Sequence, residues 1–257
     1  MRRAVEDELE LGAKSHRGLW ITLIVVVAII VAAGVAFAIY ASDYYHADER
    51  ATAALQSTET VQVRTLRNGD IAFEPLYPQA GIVFYPGGKV QAEAYAPLMQ
   101  ALAERGFLSV IVPMPFNLAV LNLNGADGIQ EQFPAIHEWI LMGHSLGGSM
   151  AAAYADGHNG EWAGLVLLAA YSMSDLSDND IDVLCIRGDN DEVLDMDMYS
   201  RKRGNLPYEA TERVVPGGNH AQFGDYGPQE GDGEPTLSAE KQQEFAANAI
   251  ARAFLSE

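Results

Sequence analysis

Hydrophobic positions follow two regimes along this chain. From residue 19 to residue 40 no position is charged and nearly all are apolar, with no polar face at helical spacing. Beyond about residue 60 the apolar positions gather into short runs of four to six residues, separated by amphipathic stretches. Gly81-Ile82-Val83-Phe84-Tyr85, residues 107–112 (broken only by Ser109), Trp139-Ile140-Leu141-Met142 and residues 165–169 predict strands. So do Ile181-Asp182-Val183-Leu184-Cys185-Ile186 and Glu212-Arg213-Val214-Val215. Residues 91–104 predict a helix with Ala94, Leu98, Ala101 and Leu102 on one face, and Pro97 sets its regular part to begin near that position. Ala151-Ala152-Ala153 and the stretch 237–255 predict two more helices. Alternating β and α implies an α/β fold, with a mostly parallel sheet covered by helices on both faces.

The uniform run at 19–40 is long enough to cross a bilayer as a helix. Its rival is a cleaved signal with a site at Ala36-Phe37-Ala38, but the run exceeds a typical signal core. Arg2, Arg3, Lys14 and Arg17 precede it and Arg50 is the first cation after it. Excess Lys and Arg mark the cytoplasmic side. The expected organisation is a cytoplasmic segment (1–18), a transmembrane anchor (19–40), a polar stalk (41–55) and a catalytic domain (56–257). This predicts a single-pass protein of the cell membrane with its catalytic domain extracytoplasmic.

Candidate chemistry centres on Gly143-His144-Ser145-Leu146-Gly147, with an apolar strand before it and a small-residue helix after it. That is the order of a strand-to-helix nucleophile elbow, in which glycines two residues either side relieve crowding around a strained serine. Partners follow in the order acid, then histidine, each just past a strand. Arg187-Gly188-Asp189-Asn190-Asp191-Glu192 offers the acid, and Pro216-Gly217-Gly218-Asn219-His220 offers the base. Asp191, three residues past Gly188, is preferred over Asp189 and Glu192, because the tight turn lets its side chain fold back over the sheet, whereas loop aspartates such as Asp189 usually satisfy backbone donors in the turn. His220 would accept the Ser145 proton while Asp191 fixes its tautomer. An oxyanion hole is expected from the N–H of Leu146 and that of Gly88, with Gly87 and Lys89 as neighbours. Met114, Pro115, Phe116, Leu118, Tyr171, Met173 and Phe223 follow strand ends, so they are candidates to line an apolar acyl or alkyl pocket. Of these, Met114, Phe116, Met173 and Phe223 form the expected substrate-binding set. His144 is expected to pack the elbow. The short gap between Leu146 and the acid strand leaves no room for a large lid.

The strings Phe84-Tyr85-Pro86-Gly87-Gly88-Lys89-Val90, Gly143-His144-Ser145-Leu146-Gly147, Gly188-Asp189-Asn190-Asp191 and the block from Gly217 through His220 to Phe223-Gly224-Asp225-Tyr226-Gly227 together resemble the α/β-hydrolase fold. Within it the chain looks closest to the small, uncapped subfamily related to dienelactone hydrolases. The resemblance spans most of the chain beyond residue 60 and implies a serine hydrolase with Ser145, Asp191 and His220 as its triad. Dienelactone hydrolases use a cysteine nucleophile, so the serine here does not carry over their substrate.

Charge narrows the partners. A net −19, from 35 acidic and 16 basic residues, disfavours nucleic acid. The acidic string Gln229-Glu230-Gly231-Asp232-Gly233-Glu234 lacks cation-loop spacing and reads as a surface turn. The single Cys185 lies in an apolar strand as a small buried hydrophobe and can form no internal disulfide. No zinc, phosphate-loop or dinucleotide motif is present, so no metal or cofactor is expected. The sequence carries no signal of oligomeric state. Three functions fit: a membrane-anchored carboxylic-ester hydrolase acting on a small-molecule ester, an acyltransferase using the same triad, and a catalytically silent tethered binding module.

Overall fold

A computed structural model describes residues 2–255, with side chains from residue 18 onward. It divides into two compact units, Met1–Asp43 and Tyr44–Glu257.

The first unit is one helix, α1 (Arg2–Ser42). Its stretch Gly18–Ser42 is long and apolar enough to cross a membrane. At 1.5 Å per residue it would span roughly 37 Å, against a hydrocarbon core of about 30 Å. The side chains of Arg2, Arg3, Lys14 and Arg17, on which the expected orientation rests, lie outside the described residues.

The second unit is built on one eight-stranded sheet. Its elements run α2 (Glu49–Ala54), β1 (Val61–Thr65), β2 (Ile71–Pro75), β3 (Ala80–Tyr85), α3 (Ala96–Ala103), β4 (Phe107–Ile111), α4 (Ile129–Gln132) and β5 (Trp139–His144). They continue as α5 (Leu146–Gly157), β6 (Gly164–Leu168), β7 (Asp182–Gly188), α6 (Met196–Lys202), β8 (Thr211–Val215) and α7 (Ala239–Phe254). The strand order is β1-β2-β4-β3-β5-β6-β7-β8. β4 through β8 pair in parallel, whereas β1 and β2 form an antiparallel edge. A 3-10 turn (Ala92–Tyr95) precedes α3, which starts beside Pro97, where a first-turn proline costs no hydrogen bond.

The pleat splits the central strands between two cores. Ile82, Phe84, Ile140 and Met142 face one layer with Leu98, Leu102, Ala246 and Ile250. Val83, Tyr85 and Leu141 face the other with Ala151, Ala152 and Tyr154. Glycine and alanine on α5 let that helix lie close to the sheet.

The chain order reverses between β3 and β5, since β4 lies beyond β3 and β6 beyond β5. A crevice opens outside the carboxyl ends of such a strand pair, where ligands collect in open α/β sheets. The loop after β3 and the turn after β5 meet there.

The expected stalk over residues 41–55 is corrected from Tyr44 onward. Tyr45 donates its N–H to the Lys89 carbonyl (2.8 Å) and accepts from the Gln91 N–H (2.9 Å), forming a bridge with Val90. Asp48 caps α2 through the Ala51 N–H, and Ala51 is fully buried. The Arg50 guanidinium pairs with Asp225 at 2.6 Å. Backbone pairing and buried side chains make this segment part of the folded unit, not a spacer.

Candidate active site

Ser145 sits between the last residue of β5 and the first of α5, at φ 52° and ψ −122°. Such a left-handed conformation costs a non-glycine residue on the order of 1–3 kcal/mol and persists only where the surroundings enforce it. Here the close approach of neighbouring backbone enforces it. A Cβ at Gly143 would lie 2.5 Å from the Gly147 carbonyl, and one at Gly147 would lie 2.2 Å from the Tyr85 carbonyl oxygen. The Ser145 N–H is tied to the Leu168 carbonyl at 2.9 Å.

The acid and base meet across the ends of β7 and β8. His220 Nδ1 lies 3.0 Å from Asp191 Oδ2 and 3.2 Å from Oδ1, and both side chains are buried. Asp191 Oδ1 also accepts the N–H groups of Val193 (3.0 Å) and Leu194 (2.8 Å), which fix the carboxylate. Asp189 takes the other task, accepting the Gly217 N–H at 2.5 Å. With Nδ1 engaged, His220 Nε2 is buried and has no hydrogen-bond partner. Its ring packs against that of His144, centroids 4.6 Å apart, and His144 directly precedes Ser145. The structure thus joins Asp191 to His220 by hydrogen bonds. It brings His220 beside the elbow without a hydrogen bond to the serine. Such bonds are often long without substrate and tighten in the reacting complex.

His144 is fully enclosed. Burial drives its pKa well below the ordinary value, and nearby His220 pushes the same way. A neutral His144 places no fixed positive charge against the ring that must become imidazolium. Its Nδ1 lies 2.8 Å from the Tyr95 hydroxyl, which also accepts the Gly87 N–H at 3.1 Å. Burial raises the Tyr95 pKa, keeping that hydroxyl protonated.

This accounting separates the oxyanion candidates. The Gly87 N–H is spent on Tyr95, and the Lys89 N–H donates to the Asn117 carbonyl at 2.8 Å. The Gly88 N–H has no acceptor among the described residues. A Cβ at Gly88 would lie 2.9 Å from Leu146 Cδ2, so this loop borders the start of α5. The Leu146 N–H, in the first helical turn, has no intrahelical carbonyl to meet. Two open donors flank the serine.

The expected lining residues divide. Phe116 and Met173 are exposed, whereas Met114 is nearly buried. Phe223 is fully enclosed and packs on His144 (centroids 5.6 Å), so it supports the histidine pair and presents no surface to a ligand. Of the wider candidates, Leu118 is buried, Tyr171 half-buried and Pro115 exposed.

The acidic string at 229–234 is a surface turn, as expected, and one of its residues also ties down the histidine loop. Asp232 accepts the N–H groups of His220 (3.2 Å), Ala221 (2.8 Å) and Gly233 (2.9 Å). Gln242 reads both the N–H and the carbonyl of Asn219, at 3.0 and 2.7 Å. Sequence reasoning missed both residues. No signal in the sequence alone marks them.

A parallel sheet with a strained serine above its switch point defines an α/β hydrolase. The profile of the alpha/beta hydrolase family matches residues 81–244, and the chain belongs to that family. Among solved structures it is similar to a predicted CIB-like hydrolase from Thermoplasma acidophilum, at 12% identity and TM-score 0.54, covering 75% of this chain and 98% of that one. It is also similar to TT1662 from Thermus thermophilus, at 15% identity and TM-score 0.57, covering 77% and 99%. At these identities the likeness is one of fold. No curated protein matches the chain.

Proposed function

We propose that this hydrolase is a membrane-anchored serine esterase of the uncapped, dienelactone-hydrolase-like kind, with its catalytic unit outside the cytoplasm. The observation that carries the reading is the buried Asp191–His220 pair, whose Nε2 has no partner and whose ring packs on His144, the residue before the elbow serine. Asp191 accepts the Nδ1–H, which leaves Nε2 to take the Ser145 proton as Oγ attacks the ester carbonyl. The Oγ–acyl bond forms, and the carbonyl oxygen becomes an oxyanion held by the Gly88 and Leu146 N–H groups. The ester C–O bond then breaks, and the alcohol leaves with the proton from His220. Water attacks the acyl-serine by the same route in reverse and releases the acid. Exposed Phe116 and Met173 suit an apolar part of the substrate. The cation bias ahead of the apolar helix supports the orientation.

Fluorophosphonate labelling tests the reading. Wild-type chain on intact cells should label with a membrane-impermeant probe, and Ser145→Ala should not. Labelling by a permeant probe alone would overturn the orientation, and no labelling by either would overturn the serine mechanism.

A further inference from the structure

Residues 106–126 contain no charged side chain, in a chain with 51 charged residues out of 257 (35 acidic plus 16 basic). Part of that run is β4, and its charge-free composition follows from burial there. The remainder is a loop at the rim of the site, in which Val112, Met114, Leu118, Ala119 and Ala126 are buried and the other positions are not. Phe116, Val120 and Leu121 are 58%, 51% and 48% exposed, and Leu123 is exposed beside them. Two consecutive residues, Phe116 and Asn117, take left-handed backbone conformations (φ 54° and 55°).

The loop is stitched to the catalytic machinery. The Asn117 carbonyl accepts the Lys89 N–H at 2.8 Å, one residue from the open Gly88 donor. The 3-10 turn Ala119–Leu121 packs on α5, the helix that begins at the serine. Tyr85 holds the far end, donating its hydroxyl to the Leu123 carbonyl (2.7 Å) and accepting the Ala126 N–H (2.9 Å).

The strip is also tied to the first residues of the folded unit. Lys89, whose N–H meets Asn117, offers its carbonyl to Tyr45. Tyr45 is three residues past Ser42, the end of the apolar span. Three residues reach at most about 10 Å even fully extended. An anchor retained in the bilayer would therefore be followed by only a short link before the folded unit begins. The rest of an acidic domain is repelled by anionic headgroups, and this strip is not.

We propose that the loop at residues 113–125 rests on the bilayer and passes membrane-dissolved, long-chain acyl esters to Ser145. This deepens the esterase reading and rests on it, and on retention of the anchor.

The test uses the full chain in phosphatidylcholine vesicles and the double variant Val120→Asp/Leu121→Asp. Hydrolysis of a vesicle-dissolved long-chain acyl ester should fall about tenfold or more, since each burial lost is worth at least that factor. Hydrolysis of a water-soluble butyrate ester and fluorophosphonate labelling should hold within about twofold. Equal activity on both substrates, or an equal loss on both with labelling intact, overturns the proposal. If labelling is lost too, Val120→Cys carrying a nitroxide decides. Collision with lipid-dissolved oxygen supports the proposal, and collision only with an aqueous nickel complex overturns it. Failure of the wild type to label refutes the esterase reading instead, and its release from vesicles by alkaline carbonate refutes the anchor.

Discussion

The serine turn and the histidine loop reach the same crevice by different physics. The turn at 143–148 is set by backbone pressed against backbone, its own and that of Tyr85 and Pro86, and its strained φ is the geometric result. The histidine loop takes its shape from groups far along the chain. Asp191 is 29 positions away from His220, Asp232 12 positions, and Gln242 23 positions from Asn219. A nucleophile fixed by sterics has few adjustable parts. A base fixed by carboxylates and amides has several, each removable by a substitution that changes little volume.

The contrast is broken most sharply at Asp191. Asp191→Asn should lower kcat by about 10⁴-fold, because the amide favours the wrong imidazole tautomer. Asp189→Asn, which touches only the Gly217 N–H, should cost about tenfold or less. Steady-state kinetics on a soluble ester compares them, and a larger loss at Asp189 would reverse the two assignments.

A smaller effect is expected at Asp232. Asp232→Ala removes the acceptor for three N–H groups and lets the His220 backbone drift. Displacement of a catalytic group by about 1 Å can cost about 100-fold, so we expect a loss of about 10- to 100-fold in kcat with KM little changed. An unchanged kcat would mean that Asp191 alone holds the loop.

The smallest effect tests how the chain after the anchor is bound. Asp225 is buried, and burial raises its pKa above the usual carboxylate range despite Arg50 and Gln243. A raised folded pKa favours the folded state while the group is protonated, and that contribution is lost as pH rises through the folded value. Arg50 offsets the cost of the ionised form. Arg50→Met should lower stability at neutral pH by about 1–2 kcal/mol, a modest value because Arg50 is 40% exposed. The deficit should shrink as pH falls toward the Asp225 pKa. Denaturant unfolding at neutral and mildly acidic pH measures it, and a deficit that grows with acidity would contradict this account.

Features fixed by local sterics or strand placement were legible in the sequence: the elbow, the acid ahead of the histidine, and the parallel strands. Others were legible and passed over. Asn68-Gly69 between alternating apolar positions (Val61, Val63, Ile71, Phe73) is a strong hairpin signal, and β1 and β2 pair there with Gly69 at φ 94°. Asp232 and Gln242 were not legible, because their partners are backbone groups brought close only by the fold. Residues 44–55 look like a spacer because their hold on the domain is a backbone bridge, one capped turn and one ion pair. Phe223 fails as a lining residue because the chain after His220 turns inward beneath His144.

The bridge between Tyr45 and Val90 bears on any soluble form of the enzyme. A chain opened at residue 56 strands the Asp225 carboxylate without its guanidinium and strips the Lys89 carbonyl of its donor, next door to Gly88, the proposed oxyanion donor. The shortest version that keeps the folded unit whole begins at Tyr44.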